Sequence, residues 1–311
     1  MNPAFSVILL TVLSGAAQGL VVLLALVFLA GGSADTAFPT RAFAVSIALA
    51  VAALVASFFH LGRPERAWRA AAMWRTSWLS REVIALPAFV GATAIWWWGV
   101  SRGLPRPLTH VAGPLACTLL AFVLWICTAK IYACLRFVEE WAQPLTPVNF
   151  VLAGLASGFV LGLALLGPDA GRGLAAVLGP AAVVLTLAAA AGRIAALSRN
   201  AALRHRSTAQ SATGIASPTL RQVSMGMSAG SFNTREFFHR ASAAGVRRIR
   251  LVALGAGYAL PALLGVLAMA ASNPPLWRLA ALVQLAGLLA DRWLFFAQAK
   301  HPQNLYYERV S

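Results

Sequence analysis

Apolar residues run along this chain in long, almost unbroken stretches, and the polar residues gather in the short intervals between them. Crossing a hydrocarbon core of about 30 Å takes roughly 20 apolar residues in a helix. Stretches of that length occur at 5–30, 41–60, 82–100, 111–135, 148–167, 174–197, 250–271 and 277–298. The pattern predicts an all-α polytopic membrane protein, a bundle of about eight transmembrane helices forming a single integral membrane domain over 1–311. The opening MNPAFSVILLTVLSG carries no basic residue, and its apolar run continues to Ala30. That is too long for a signal-peptide core, so it reads as a retained first span. Span five follows Pro144 and Pro147 and carries Gly154, Ser157, Gly158 and Gly162, small residues that permit close helix packing in lipid. Pro261 falls inside span seven and predicts a kink.

The polar intervals give the orientation. With eight spans, both termini share a face with the intervals 61–81, 136–147 and 193–249. That face carries Arg63, Arg66, Arg69, Arg75 and Arg81, then Arg136, then a run from Arg193 to Arg248, and finally Lys300 and Arg309. The opposite face holds Arg41, Arg102, Arg106, Arg172 and Arg278. By the positive-inside rule the basic face and both termini lie in the cytoplasm, which suits a multi-pass protein of a bacterial inner membrane. The net charge of +16, from 25 basic and 9 acidic residues, is accounted for by these loops. No nucleic-acid motif accompanies it. Trp68, Trp74, Trp78, Trp96 to Trp98, Trp141 and Trp277 stand near span ends and read as an interfacial aromatic belt. Cys117, Cys127 and Cys134 lie in span four without CxxC or CxxCH spacing, so they read as packing residues and no metal is expected.

Chemistry concentrates in FFHLGRPERAWRAAAMWRTSWLSREVIAL, residues 58–86. His60 closes an apolar helix and Gly62 permits a turn. Pro64 and Glu65 suit a first helical turn. Residues 64–74 therefore predict a short surface helix, with arginines toward headgroups and Trp68 and Met73 toward lipid. Ser77 or Ser80 caps the returning helix, and Arg81 and Glu82 enter the membrane. His60 and Glu82 thus lie at similar depth on adjacent helices. A neutral histidine can donate a hydrogen bond to a quinone carbonyl, and a desolvated carboxyl can take up protons as a quinol is oxidised. The plainer alternative is electrostatic: Glu82 pairs with Arg81 or Arg63, and His60 bonds a helix-end carbonyl.

HLGRPERAW followed by TSWLSREVI, with SMGMSAGSFNTREFFHR at 224–240, KIYACLRF ending span four and LTPVNFVLAGLASGFVLG in span five, resembles the membrane anchor subunits of the dimethyl sulfoxide reductase family. The resemblance extends over nearly the whole chain. It implies a quinol-oxidising, or quinone-reactive, anchor serving a molybdopterin oxidoreductase in anaerobic respiration. It further implies a docked electron-transfer subunit with four iron–sulfur clusters and a molybdopterin catalytic subunit beyond it. The substrate would be menaquinol or ubiquinol, and no haem is expected. The family's quinol-site histidine and glutamate match His60 and Glu82. Arg81 and Arg63 adjoin them as quinol-binding candidates.

Interval 193–249 reads as the docking segment for the iron–sulfur subunit, with Asn233, Thr234, Arg235, Glu236 and His239 as contacts; its plainer reading is a solvated loop. Asp291 and Arg292 inside span eight read as structural ion-pair partners, with Arg278 or Tyr258 facing Asp291. Lys130 near the basic end of span four can snorkel. Glu139 and Glu140 read as interface or docking charges. Two other functions compete: a passive anchor without a quinone site, and a secondary transporter, which would need internal repeats and a polar site at mid-membrane.

Overall fold

The computed structural model describes residues 1–32, 37–166, 171–221, 223 and 237–307. Among these residues, eight helices are long and apolar enough to cross a membrane. They are α1 (Phe5–Leu29), α2 (Ala37–Phe58), α3 (Trp78–Ser101), α4 (Pro107–Ala133), α5 (Leu145–Leu165), α6 (Gly171–Ala201), α7 (Ala243–Ala270) and α8 (Pro275–Ala297). No strand occurs among the described residues.

The first span is the hub. In its most apolar window α1 is 83% buried, against 28–56% for the other seven, because α2, α4, α5 and α8 all pack on it. Its contact with α5 is made by small residues. A Cβ placed on Gly19 would meet the Gly154 carbonyl oxygen, and one on Gly158 would meet the Gly19 and Leu20 backbone. Two helix backbones touch there. In lipid, where apolar burial gives helices no reason to associate, such contact supplies dispersion energy. The same device joins α7 to α8, where a Cβ on Gly287 would strike the backbone of Ala256 and Gly257.

Two π-turns interrupt the ladders, at Pro107–Ala112 in α4 and at Gly255–Ala259 in α7. Each is followed within two residues by a proline, Pro114 and Pro261. Proline donates no N–H and its ring crowds the carbonyl four residues back, so the helix widens ahead of it. The irregularity expected at Pro261 is therefore a π-turn on its N-terminal side.

Three of the expected belt tryptophans are core residues. Trp96, Trp141 and Trp277 are each 4% exposed. Trp96 donates to the Thr109 carbonyl, from α3 to α4, and Trp141, in the connection between α4 and α5, donates to that of Phe295 in α8. Trp68, Trp74 and Trp98 are exposed. Arg193 is also relocated: it lies inside α6 and is 3% exposed, so the basic interval opens only after Ala201. Cys117 and Cys127 are buried, while Cys134, capping α4, is exposed.

Candidate functional site

The connection from α2 to α3 folds as its punctuation predicts. Pro64 starts a 3-10 helix, Pro64–Met73, with Glu65 in its first turn. Trp68 and Met73 are exposed. Ser77 caps α3, its Oγ accepting from the Ser80 N–H at 3.3 Å. This cap places Glu82 in the second turn of the helix, facing the bundle.

Glu82 is 7% exposed. Its Oε1 accepts a 2.5 Å hydrogen bond from the Thr128 hydroxyl on α4. No arginine pairs with it among the described residues. Arg81 turns to the preceding strap instead: its Nε donates to the Trp74 carbonyl at 2.9 Å and its Nη2 to that of Arg75 at 2.8 Å. The Arg81 guanidinium also lies 4.2 Å over the Trp78 ring. Arg63 is exposed at the start of the 3-10 helix. The electrostatic alternative for Glu82 thus finds no partner in either arginine.

His60 is exposed just past α2, and its Nδ1 lies 3.3 Å from the Ser6 hydroxyl at the start of α1. Burial of part of the ring lowers its pKa from the usual histidine value, which favours neutral imidazole. His60 and Glu82 flank the same connection without bonding each other. One faces α1 and the other α4.

Beyond Thr128 the interior is more polar than the apolar runs suggest. Thr128 shares a water-sized cavity with Ser14, Gln18, Trp125, Ser157 and Arg292. Arg292 and Phe150 also line a second cavity, with Glu140, Gln143, Arg193 and Asp291. The Arg292 guanidinium lies 3.8 Å over the Phe150 ring. Asp291 accepts from Arg193 Nε at 2.5 Å and from the Tyr258 hydroxyl at 3.3 Å, tying α6, α7 and α8 together. Tyr258 is thus one of the two partners expected for Asp291, and the cation is Arg193 rather than Arg278. Glu140 is 3% exposed, and its Oε1 lies 3.5 Å from His205 Nε2. It is an interior carboxyl beneath the basic face.

Asn233, Thr234, Arg235 and Glu236 lie outside the described residues. His239 is described and packs near the Trp293 ring of α8, with centroids 5.8 Å apart. Phe238 beside it is buried, and Phe237 stacks on His301 at 4.1 Å. Asn304 Nδ2 donates to the Phe237 carbonyl at 3.1 Å. The end of the TREFFHR segment is therefore pinned to the basic end of the bundle.

Sequence reasoning did not find Thr128, Gln18 or the role of Arg193, and it took Ser157 only as a small packing residue of span five. Each is a single polar residue in an apolar run, and only Asp291, which needs a cation, hinted at one of them.

Comparison with known proteins agrees with this architecture. A sulfite dehydrogenase subunit of Allochromatium vinosum is 47% identical to this chain over 330 aligned positions that cover all of both proteins. The family model described as the DMSO reductase anchor subunit (DmsC) matches residues 1–298. The chain belongs to that family of molybdoenzyme membrane anchors, which serve catalytic and electron-transfer partners.

Proposed function

We propose that this protein exchanges electrons and protons with a membrane quinone and links that quinone to the electron-transfer partner of its complex. The observation that carries the reading is Glu82, a carboxyl within a membrane span that is held by a threonine hydroxyl and, among the described residues, by no cation. An ionisable group so placed is costly in lipid and is kept where it moves protons or binds substrate. His60, exposed just past the end of α2 with its ring biased toward neutrality, suits a hydrogen bond to a quinone carbonyl. Arg81 and Arg63 shape the entrance between them. The partner with iron–sulfur clusters docks over the basic loops, where the His239 segment is pinned, and a molybdopterin subunit lies beyond it.

The relative's name bears on direction. A dehydrogenase removes electrons from its substrate, so a sulfite-oxidising complex would send them into the quinone pool. Glu82 then supplies protons to the reduced quinone; with electron flow reversed it accepts them from quinol. The same residues serve both directions.

Binding of a fluorescent quinone-site inhibitor to membranes holding the whole complex, together with quinone turnover, tests the proposal. Glu82→Gln keeps the hydrogen bond from Thr128 and removes the titrating oxygen. We expect assembled complex, retained inhibitor binding and turnover lowered by about 100-fold or more, the scale of a lost general acid or base. Wild-type complex that binds no inhibitor would instead identify a passive anchor. Normal turnover by Glu82→Gln would remove the proton role from this residue.

A further inference from the structure

We propose that the protons of the quinone reaction pass through the interior of this protein, along a hydrated path from Glu82 through Thr128 and two small cavities to Glu140 and His205 at the basic face. The inference rests on the quinone reading of Glu82. In the reducing direction, two electrons arrive from the electron-transfer partner and two protons arrive by this path, converting quinone to quinol; oxidation reverses both.

Thr128 is the first link. Its hydroxyl donates to Glu82, and its oxygen keeps lone pairs for a donor on the other side. That other side is the first cavity, whose wall includes Thr128, Gln18 and Arg292. Several buried polar atoms around the two cavities have no hydrogen-bond partner among the described residues: Gln18 Oε1, Trp125 Nε1, Arg292 Nε, Gln143 Oε1 and Glu140 Oε2. Gln18 is 1% exposed and Glu140 3%. Leaving such groups unpaired costs about 1–3 kcal/mol each, and buried water is the usual remedy. Water-sized cavities with unpaired donors and acceptors on their walls meet that condition.

Arg292, like Phe150, lines both cavities and so links one to the other. A lone arginine there would repel an excess proton. The second cavity is lined by two carboxyl side chains, Asp291 and Glu140, as well as by Arg292 and Arg193, so acidic groups match basic ones in number there. Arg292 orders water through its unpaired N–H and is a positioning residue. The exit is Glu140, 3.5 Å from His205, whose side chain is 32% exposed. The shorter way out past the start of α3 is less suited. Ser80 there is buried, Arg81 is bonded across the strap, and the Glu82 carboxyl points inward.

The test uses the assembled complex in membranes, pre-reduced and freed of reductant, then mixed rapidly with decylubiquinone in H2O or D2O. Gln18→Leu removes a polar wall group. Gly15→Ala narrows the same cavity gently, because its new Cβ would meet Gly154 Cα at 3.8 Å and Trp125 Nε1 at 4.0 Å, ordinary contacts. We expect either substitution to slow quinone reduction by about tenfold, less than the roughly 100-fold or more of a lost general acid or base, because the cavity is narrowed and no titrating group is removed. Quinone affinity should stay unchanged, the D2O effect should grow, and azide, a small proton carrier, should restore the rate. His205→Phe should show the same signature at the exit. Unchanged rates and unchanged D2O effects in assembled Gln18→Leu and Gly15→Ala would overturn the path while leaving a Glu82-dependent quinone site standing. Glu82→Gln with normal turnover would overturn the path at its Glu82 end, whereas a wild-type complex that binds no quinone-site inhibitor would overturn the quinone reading itself.

Discussion

At the scale of single residues, the buried charges decide most. Arg193 and Asp291 are 3% and 5% exposed and bond at 2.5 Å. Taking both charges out of water is expensive, and their attraction offsets that cost only while both are present. Asp291→Ala leaves Arg193 buried and unpaired, and should lower stability by about 3–5 kcal/mol. Arg193→Met should do the same to Asp291. The double variant removes both charges and should recover most of the loss. Thermal unfolding of the detergent-purified protein, run as a double-mutant cycle, measures this; additive losses would mean that the pair is not coupled. The sequence marked Asp291 as needing a partner but could not say which one. Arg193 is 98 positions away, and its place in the chain resembles that of a loop arginine. Glu82 shows the opposite case. Its place at the head of span three was legible from the serine cap and the preceding Arg81, whereas Thr128 had no mark to set it apart from other span residues.

At the scale of elements, all eight spans were legible, and their ends were not. The structure carries α6 to Ala201 and starts α7 at Ala243, where apolar periodicity alone suggested 197 and 250. Hydropathy reports the part of a helix that meets lipid, and these two continue beyond it with arginines on their turns. The packing order of the helices was less legible still. The small residues of span five were visible, but not their partner. That partner is the Gly15–Gly19 stretch of α1, which makes the first span the hub of the bundle. Gly158→Val forces side-chain atoms into the Gly19 and Leu20 backbone, so α1 and α5 must separate. Overpacking of this kind typically costs about 1–3 kcal/mol, and backbone contact puts this case at the upper end. Gly91→Ala in α3, where a Cβ meets nothing within 4 Å, is the matched control and should be neutral or slightly stabilising. Equal melting temperatures for the two variants would contradict the close α1–α5 crossing.

At the scale of the whole molecule, function depends on which face carries the site. Glu82, His60, Glu140, His205 and the His239 segment all belong to the end of the bundle where the basic loops gather, so a partner docked there covers the candidate site and the proposed proton exit alike. By the positive-inside rule that face is expected in the cytoplasm, and short loops weigh most in that rule. The interval 61–77, with Arg63, Arg66, Arg69 and Arg75, therefore carries more of the argument than the long interval after α6. The helix ends at Ala201 and Ala243 take Arg193, Arg199, Arg247 and Arg248 out of the long interval, whereas the short one keeps four arginines. The assignment can be tested with the cysteines already present. Cys134 is exposed at the basic end of α4, whereas Cys117 and Cys127 are buried and serve as silent controls. In cells expressing this protein without its partners, a membrane-impermeant maleimide should label Cys134 only after permeabilisation. Arg102 is exposed at the opposite end of α3, so Arg102→Cys in a Cys134→Ser background should label in intact cells. The reverse pattern would place the basic face, and with it the electron-transfer partner, outside the cytoplasm. The candidate quinone site would then exchange its protons on that side as well.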